Sequence, residues 1–89
     1  MPRVPSAAAA HVGARIGAIR LARGLSQDEL AVNSGIDSSN IRSYESGRAM
    51  VSVHTLIRIA VALDTPPGEL LDGLTLHHFG DAEGRRRAG

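Results

Sequence analysis

Every basic side chain with a permanent charge in this sequence is an arginine, ten in all. A guanidinium presents a planar fork of N–H donors that meets phosphate oxygens two at a time, so arginine suits polyanionic partners. The arginines are unevenly placed. Residues 1–58 hold seven (Arg3, Arg15, Arg20, Arg23, Arg42, Arg48 and Arg58) against four acids, and residues 59–83 hold none against five acids. Arg85, Arg86 and Arg87 then restore positive charge. The formal net charge is only +1, so the polarity says more than the total. A chain basic in front and acidic behind suits one face toward phosphate and another away from it. Solvated surface charge is the other reading of the same distribution.

Other chemistries find less support. His77 and His78 are adjacent, and neighbouring histidines seldom point at one ion. With no cysteine to complete a set, they read as solvated tail residues and no metal is expected. His11 and His54 are isolated and read as helix surface. Asp28 and Glu29 read as a helix N-terminal charge pair, not a catalytic dyad. The serines lack His and acid partners around a nucleophile elbow, and the glycines do not follow phosphate-loop spacing. Neither an enzyme nor a cofactor is expected. The absence of cysteine fits a reducing cytosol, and a cytoplasmic location is the expectation. No apolar run approaches the ~20 residues of a membrane span. The N-terminus lacks the pattern of a secretory signal, and no appended ligand-binding domain is expected.

The 89 residues suit one small domain. A domain of this size hides about 60–65% of its unfolded surface, so the core must be modest. Residues 1–6, with two prolines, read as a flexible arm. Residues 7–23 read as a first helix with Val12, Ile16 and Ile19 on one face, Ser6 as an early cap and Gly24 as terminator. Ser26 and Glu29 have capping-box spacing, which starts a second helix ending near Asn33 and burying Leu30 and Ala31. Gly35 makes a turn, and Asp37 or Ser38 caps a third helix that buries Ile41 and Tyr44 and closes at Gly47. Ser52 caps a fourth, where Val53, Leu56, Ile57, Ala60 and Leu63 recur at helical spacing. Thr65-Pro66-Pro67 stops it and starts a short fifth helix anchored by Leu70 and Leu71, ending at Gly73. Only Leu74 to Phe79 hints at period-two alternation. The expectation is an all-α domain over 7–73 with five helices, followed by an extension over 74–89.

Two short helices joined by a glycine turn form a helix-turn-helix unit. Gln27, Ala31, Gly35, Ile36, Ile41, Tyr44, Glu45 and Gly47 give Q-x3-A-x3-G-I-x4-I-x2-Y-E-x-G. Ala31 is small enough for a close helix crossing, Gly35 makes the turn, and Ile36 and Ile41 lock the third helix down. On these residues, with the stretches Ile16 to Gln27 and Ser52 to Leu63, the chain resembles the lambda-repressor-like, or xenobiotic-response-element, helix-turn-helix regulators. The resemblance covers roughly residues 11–72. One departure is Val51, where many members carry proline before the cap of helix four.

The resemblance implies roles. Gln27, at the first turn of helix two beside its cap Ser26, matches a position that grips a DNA phosphate. Ser38, Ser39, Arg42 and Ser43 match the outward face of the recognition helix, with Asn40 at its flank. Arg42 is the foremost base reader, since a guanidinium bonds a guanine edge bidentately. Ser46 and Arg48 match a phosphate-contacting loop. Three serines among four reader positions leave few direct bonds, so water or DNA shape must supply part of any selectivity. Arg20 and Glu45 match a pair that bridges helix one and the end of helix three. Beyond helix five, Leu74, Leu76 and Phe79 either cover the core or, with Leu70, form a dimer contact. The implied function is a sequence-specific, double-stranded-DNA-binding transcriptional regulator, a dimeric repressor or autoregulator. The alternatives are an antitoxin whose partner is a toxin protein, and an interaction adaptor that keeps the fold without DNA.

Overall fold

A computed structural model describes residues 6–80, so residues 1–5 of the expected arm and the Arg85–Arg87 run expected to end the extension lie outside the described residues. Four α-helices follow one another: α1 (Ala7–Ala22), α2 (Gln27–Ser34), α3 (Ser38–Ser46) and α4 (Val53–Ala62). Two 3₁₀ helices follow, Pro67–Leu71 and Leu76–Phe79, and no strand occurs among the described residues.

Each α-helix starts where a side chain can satisfy an orphan N–H, a contribution of about 1 kcal/mol at a typical cap. Ser6 Oγ accepts from Ala9 N at 2.9 Å. The Ser26/Glu29 box closes in both directions, at 3.0 and 2.8 Å. Ser52 Oγ accepts from Thr55 N at 3.2 Å. For α3 the cap is Asp37, whose carboxylate accepts from Ser39 N and Ser39 Oγ, both at 2.8 Å. These bonds to the ionised form hold the Asp37 carboxyl below its ordinary pKa.

The expected fifth α-helix is instead a five-residue 3₁₀ helix. Pro67 has no N–H, Gly68 follows it, and the segment is too short to repay α-nucleation. Glu69 N therefore donates three residues back, to Pro66 O at 3.0 Å. The hint of alternation at Leu74–Phe79 resolves into the second 3₁₀ helix, not a strand.

The core gathers one side of every α-helix: Val12 and Ile16 from α1, Leu30 from α2, Ile41 from α3, and Leu56, Ile59 and Leu63 from α4 and its cap, with Leu70 beneath. Helix α4 corrects the sequence reading. Val53 and Ile57 belong to the expected apolar stripe, yet they are 77% and 41% exposed, whereas Ile59 is fully buried. The helix carries apolar residues on two faces, and only contact with α2 and the first 3₁₀ helix decides which face goes inside.

The closest crossing is that of α1 over α3. A Cβ on Gly13 would overlap the carbonyl oxygen of Tyr44, and one on Gly17 would sit 3.2 Å from Glu45 Oε1. Gly13 and Gly17, one turn apart, thus let α3 lie close against α1. The spacing of four was visible in the sequence as small-xxx-small; its use was not.

Candidate nucleic-acid interface

Helices α2 and α3 meet across Ala31, which is 7% exposed. Gly35 leaves α2 in the left-handed conformation, φ +72°, which a side chain would strain. Its N–H and that of Ile36 both return to Ala31 O, at 2.9 and 3.1 Å. From α4, Arg58 Nε donates to Ser34 O at 3.1 Å, which ties the C-terminus of α2 to α4. The unit is therefore held at its turn from inside and from behind.

Glu45 fastens the other end. Its Oε2 accepts from Arg20 Nε at 2.7 Å, and its Oε1 accepts from Arg20 Nη2 at 2.9 Å. Arg20 Nη1 also donates to Leu25 O at 2.8 Å. The side chains are 12% and 9% exposed, so this expected bridge is a nearly buried, bidentate pair. The hydrogen bonds that Arg20 donates to Glu45 raise the Arg20 pKa above its ordinary value, against the opposing effect of burial. Gln27 Nε2 donates to the same Glu45 Oε1 at 3.1 Å, which joins the start of α2 to the end of α3.

The remaining arginines separate by partner. Arg15 Nε donates to Glu69 O at 2.9 Å, and Arg23 donates to Leu63 O at 2.7 Å and Asp64 O at 3.1 Å. With Arg20 and Arg58, four of the six described arginines thus hold backbone carbonyls, a use that complements helix C-termini. The other two, Arg42 and Arg48, are exposed on α3 and just beyond it. Much of the basic half of the chain is therefore structural.

A helix-turn-helix family model matches residues 16–70, more than half of the chain. The chain belongs to the helix-turn-helix family, of the lambda-repressor-like, xenobiotic-response-element type. It is 42% identical over 57 residues to an uncharacterized transcriptional regulator in the ATPase CF(0) region of Rhodospirillum rubrum, covering 64% of this chain and 53% of that protein. It is 35% identical over 63 residues to an uncharacterized helix-turn-helix-type transcriptional regulator of Rickettsia conorii, covering 71% and 50%. The chain thus spans about half the length of the curated relatives it matches. Among solved structures it is similar to the restriction-modification controller protein C.AhdI from Aeromonas hydrophila, with a TM-score of 0.68 and 40% identity over 70% of this chain and 94% of that one.

Within this helix-turn-helix the sequence-derived positions divide. Ser39, Asn40, Arg42, Ser46 and Arg48 are exposed, whereas Ser38, Ser43 and Gln27 are half-buried. Ser26 is exposed, with its hydroxyl engaged as the α2 cap. Ser46 Oγ turns back onto Ser43 O at 3.2 Å. Arg42 Nη2 reaches across to α2 and donates to Asp28 Oδ1 at 3.1 Å. The sequence reading missed this link, because it took Asp28 only as a helix-end charge.

The tail needs two corrections. Leu70, named as a dimer contact, is fully buried and has no surface to offer a partner. Leu74 is half-buried against the core, while Leu76 and Phe79 are 40% and 57% exposed. His11 and His78 are also not plain surface. His11 Nε2 lies 2.6 Å from Asp72 O, its ring is 4.6 Å from that of His78, and His78 Nδ1 accepts from Thr75 N at 3.0 Å. Together these bonds fold residues 72–79 back onto α1. Phe79, Met50, Val53 and Leu71 then rim an apolar groove of about 210 Å³. Among the described residues no cluster of three or more His, Cys, Asp or Glu could hold a metal, and no helix is long and apolar enough to cross a membrane.

Proposed function

We propose that this chain is a sequence-specific DNA-binding transcriptional regulator, a homodimeric repressor or autoregulator that lays α3 in the major groove of double-stranded DNA. The observation that carries this reading is the division of the six described arginines: the two of them not tied to backbone carbonyls, Arg42 and Arg48, are exposed on α3 and the loop after it. Arg42 then reads base edges, with Ser38, Ser39 and Ser43 contributing short contacts. Arg48, Gln27, Asn40, Ser46 and the Ser26-capped N-terminus of α2 engage phosphates. The expected cytoplasmic location fits this role. Its similarity to transcriptional regulators and to a restriction-modification controller protein supports regulation of transcription.

A second copy is drawn from the exposed apolar side of α4. Val53, Ile57 and Val61 stand one turn apart at 77%, 41% and 74% exposure, beside the groove rimmed by Leu71 and Phe79. Contiguous exposed apolar surface marks an interface. A twofold dimer would set two copies of α3 about 34 Å apart, one turn of DNA. The same face would also suit a toxin-type protein partner. Selection of bound duplexes from a random pool, with the solution mass of the protein, tests both parts. A palindromic site and a dimeric mass are expected. No enriched sequence would defeat the regulator reading, and a monomeric mass on a single half-site would defeat the dimer.

A further inference from the structure

The geometry points to Asp28 as a specificity-determining residue that positions Arg42 and discourages binding to phosphate alone; this rests on the DNA-reading role proposed above. Arg42 is the one long side chain among the four expected reader positions, the others being Ser38, Ser39 and Ser43. Among the described residues Ser39 Oγ donates instead to Asp37 Oδ1, and neither Ser38 nor Ser43 bonds the Arg42 guanidinium. The orienting contact comes from the other helix, where Asp28 Oδ1 accepts from Arg42 Nη2 at 3.1 Å. An arginine carries five N–H donors, so one bond to Asp28 leaves enough for a bidentate pair with a guanine edge. Asp28 therefore fixes one end of the fork and presents the other.

The charge around this pair adds a second effect. Asp28, Asp37 and Ser38 line an open cleft between α2 and the start of α3. A helix N-terminus alone attracts phosphate. Here the first turn of α2 already carries Asp28 and Glu29, and Asp37 caps α3. A phosphate held by Ser26 and Gln27 at the start of α2 therefore meets these carboxylates nearby, which weakens that contact on any sequence. A duplex offering a guanine at the right register recovers the cost through Arg42. Both effects lower affinity for random sequence more than for the cognate site.

The test is a double-mutant cycle with full-length wild type, Asp28→Asn, Arg42→Ala and the double variant. Each is titrated at one salt concentration against a duplex selected from a random pool and against a random-sequence duplex. Both Asp28 and Arg42 are more than half or about half exposed, so the variants are expected to melt with the wild type. In Asp28→Asn, affinity for the random duplex should rise and the ratio of selected to random affinity should fall about three- to fivefold, the scale of an exposed ion pair. With Arg42 already removed, the same substitution should move that ratio by less than about twofold. Equal shifts on both duplexes would overturn the proposal, as would an undiminished fall in the ratio without Arg42. If the wild type selects no sequence, the regulator reading fails and this proposal fails with it; a selective wild type with an unchanged ratio in Asp28→Asn overturns this proposal alone.

Discussion

Glu45 occupies a position where one carboxylate serves three donors, two from Arg20 and one from Gln27. Removing it leaves a guanidinium nearly buried without its partner, which costs about 3–5 kcal/mol. Glu45→Ala should therefore lower the melting temperature by well over 10 °C, since 1 kcal/mol is worth roughly 4–8 °C in a domain this size. An unchanged melting curve would show that the pair contributes little. Asp37 gives a prediction about pH. Its folded-state pKa is lowered by bonds from Ser39 N and Oγ, so its cap is fully effective above the ordinary carboxylate range and is lost as pH falls through the lowered value. The stability difference between wild type and Asp37→Ala should be constant near neutrality and shrink below pH ~4; chemical denaturation at several pH values checks this. At this scale the sequence was readable where a residue's job is local. Ser6, Ser26, Glu29 and Ser52 cap the helices they were expected to cap. The pairing of Asp28 with Arg42 joins residues 14 apart through the angle between two helices, and no local spacing encodes it.

Among elements, the crossing of α1 over α3 determines how firmly α3 is held. Gly13→Ala should gain helix propensity in isolation, yet the Tyr44 carbonyl occupies the space the methyl group needs. The clash should win, with a loss of at least about 1–3 kcal/mol, measurable by urea unfolding. Stability equal to or above wild type would show that the crossing can widen. The helix-turn-helix was legible because its turn, caps and small crossing residue follow local rules. Two other elements were less so. Helix α4 is apolar on two faces, so periodicity alone could not assign Ile59 to the core and Val53 to the surface. The segment after Pro67 showed a helical stop and start, but five residues with proline and glycine settle into a 3₁₀ turn.

For the whole molecule, the charge polarity of the sequence proves to be partly scaffolding. Among the described residues, Arg15, Arg20, Arg23 and Arg58 join helices to one another, and the exposed positive charge not held by backbone carbonyls is that of Arg48 and of Arg42, whose one protein partner is the exposed Asp28. This division was not legible, because a guanidinium on a carbonyl and one facing outward look alike in a sequence. The exposed apolar stripe on α4 gives a prediction at the same scale. Ile57→Asp places a charge on a partly exposed position, so the fold should survive while the proposed dimer dissociates to a monomer in sedimentation. A dimeric mass retained by this variant would move the interface elsewhere.

The central claim is that α3 chooses its DNA mainly through Arg42. The direct measurement is the affinity of wild type and Arg42→Ala for a selected duplex and for a random one at matched salt. A bidentate contact to a base is worth about 1–3 kcal/mol of discrimination, so the ratio of the two affinities should fall at least fivefold in the variant while random binding changes little. An equal loss on both duplexes would make Arg42 a phosphate contact and contradict the account.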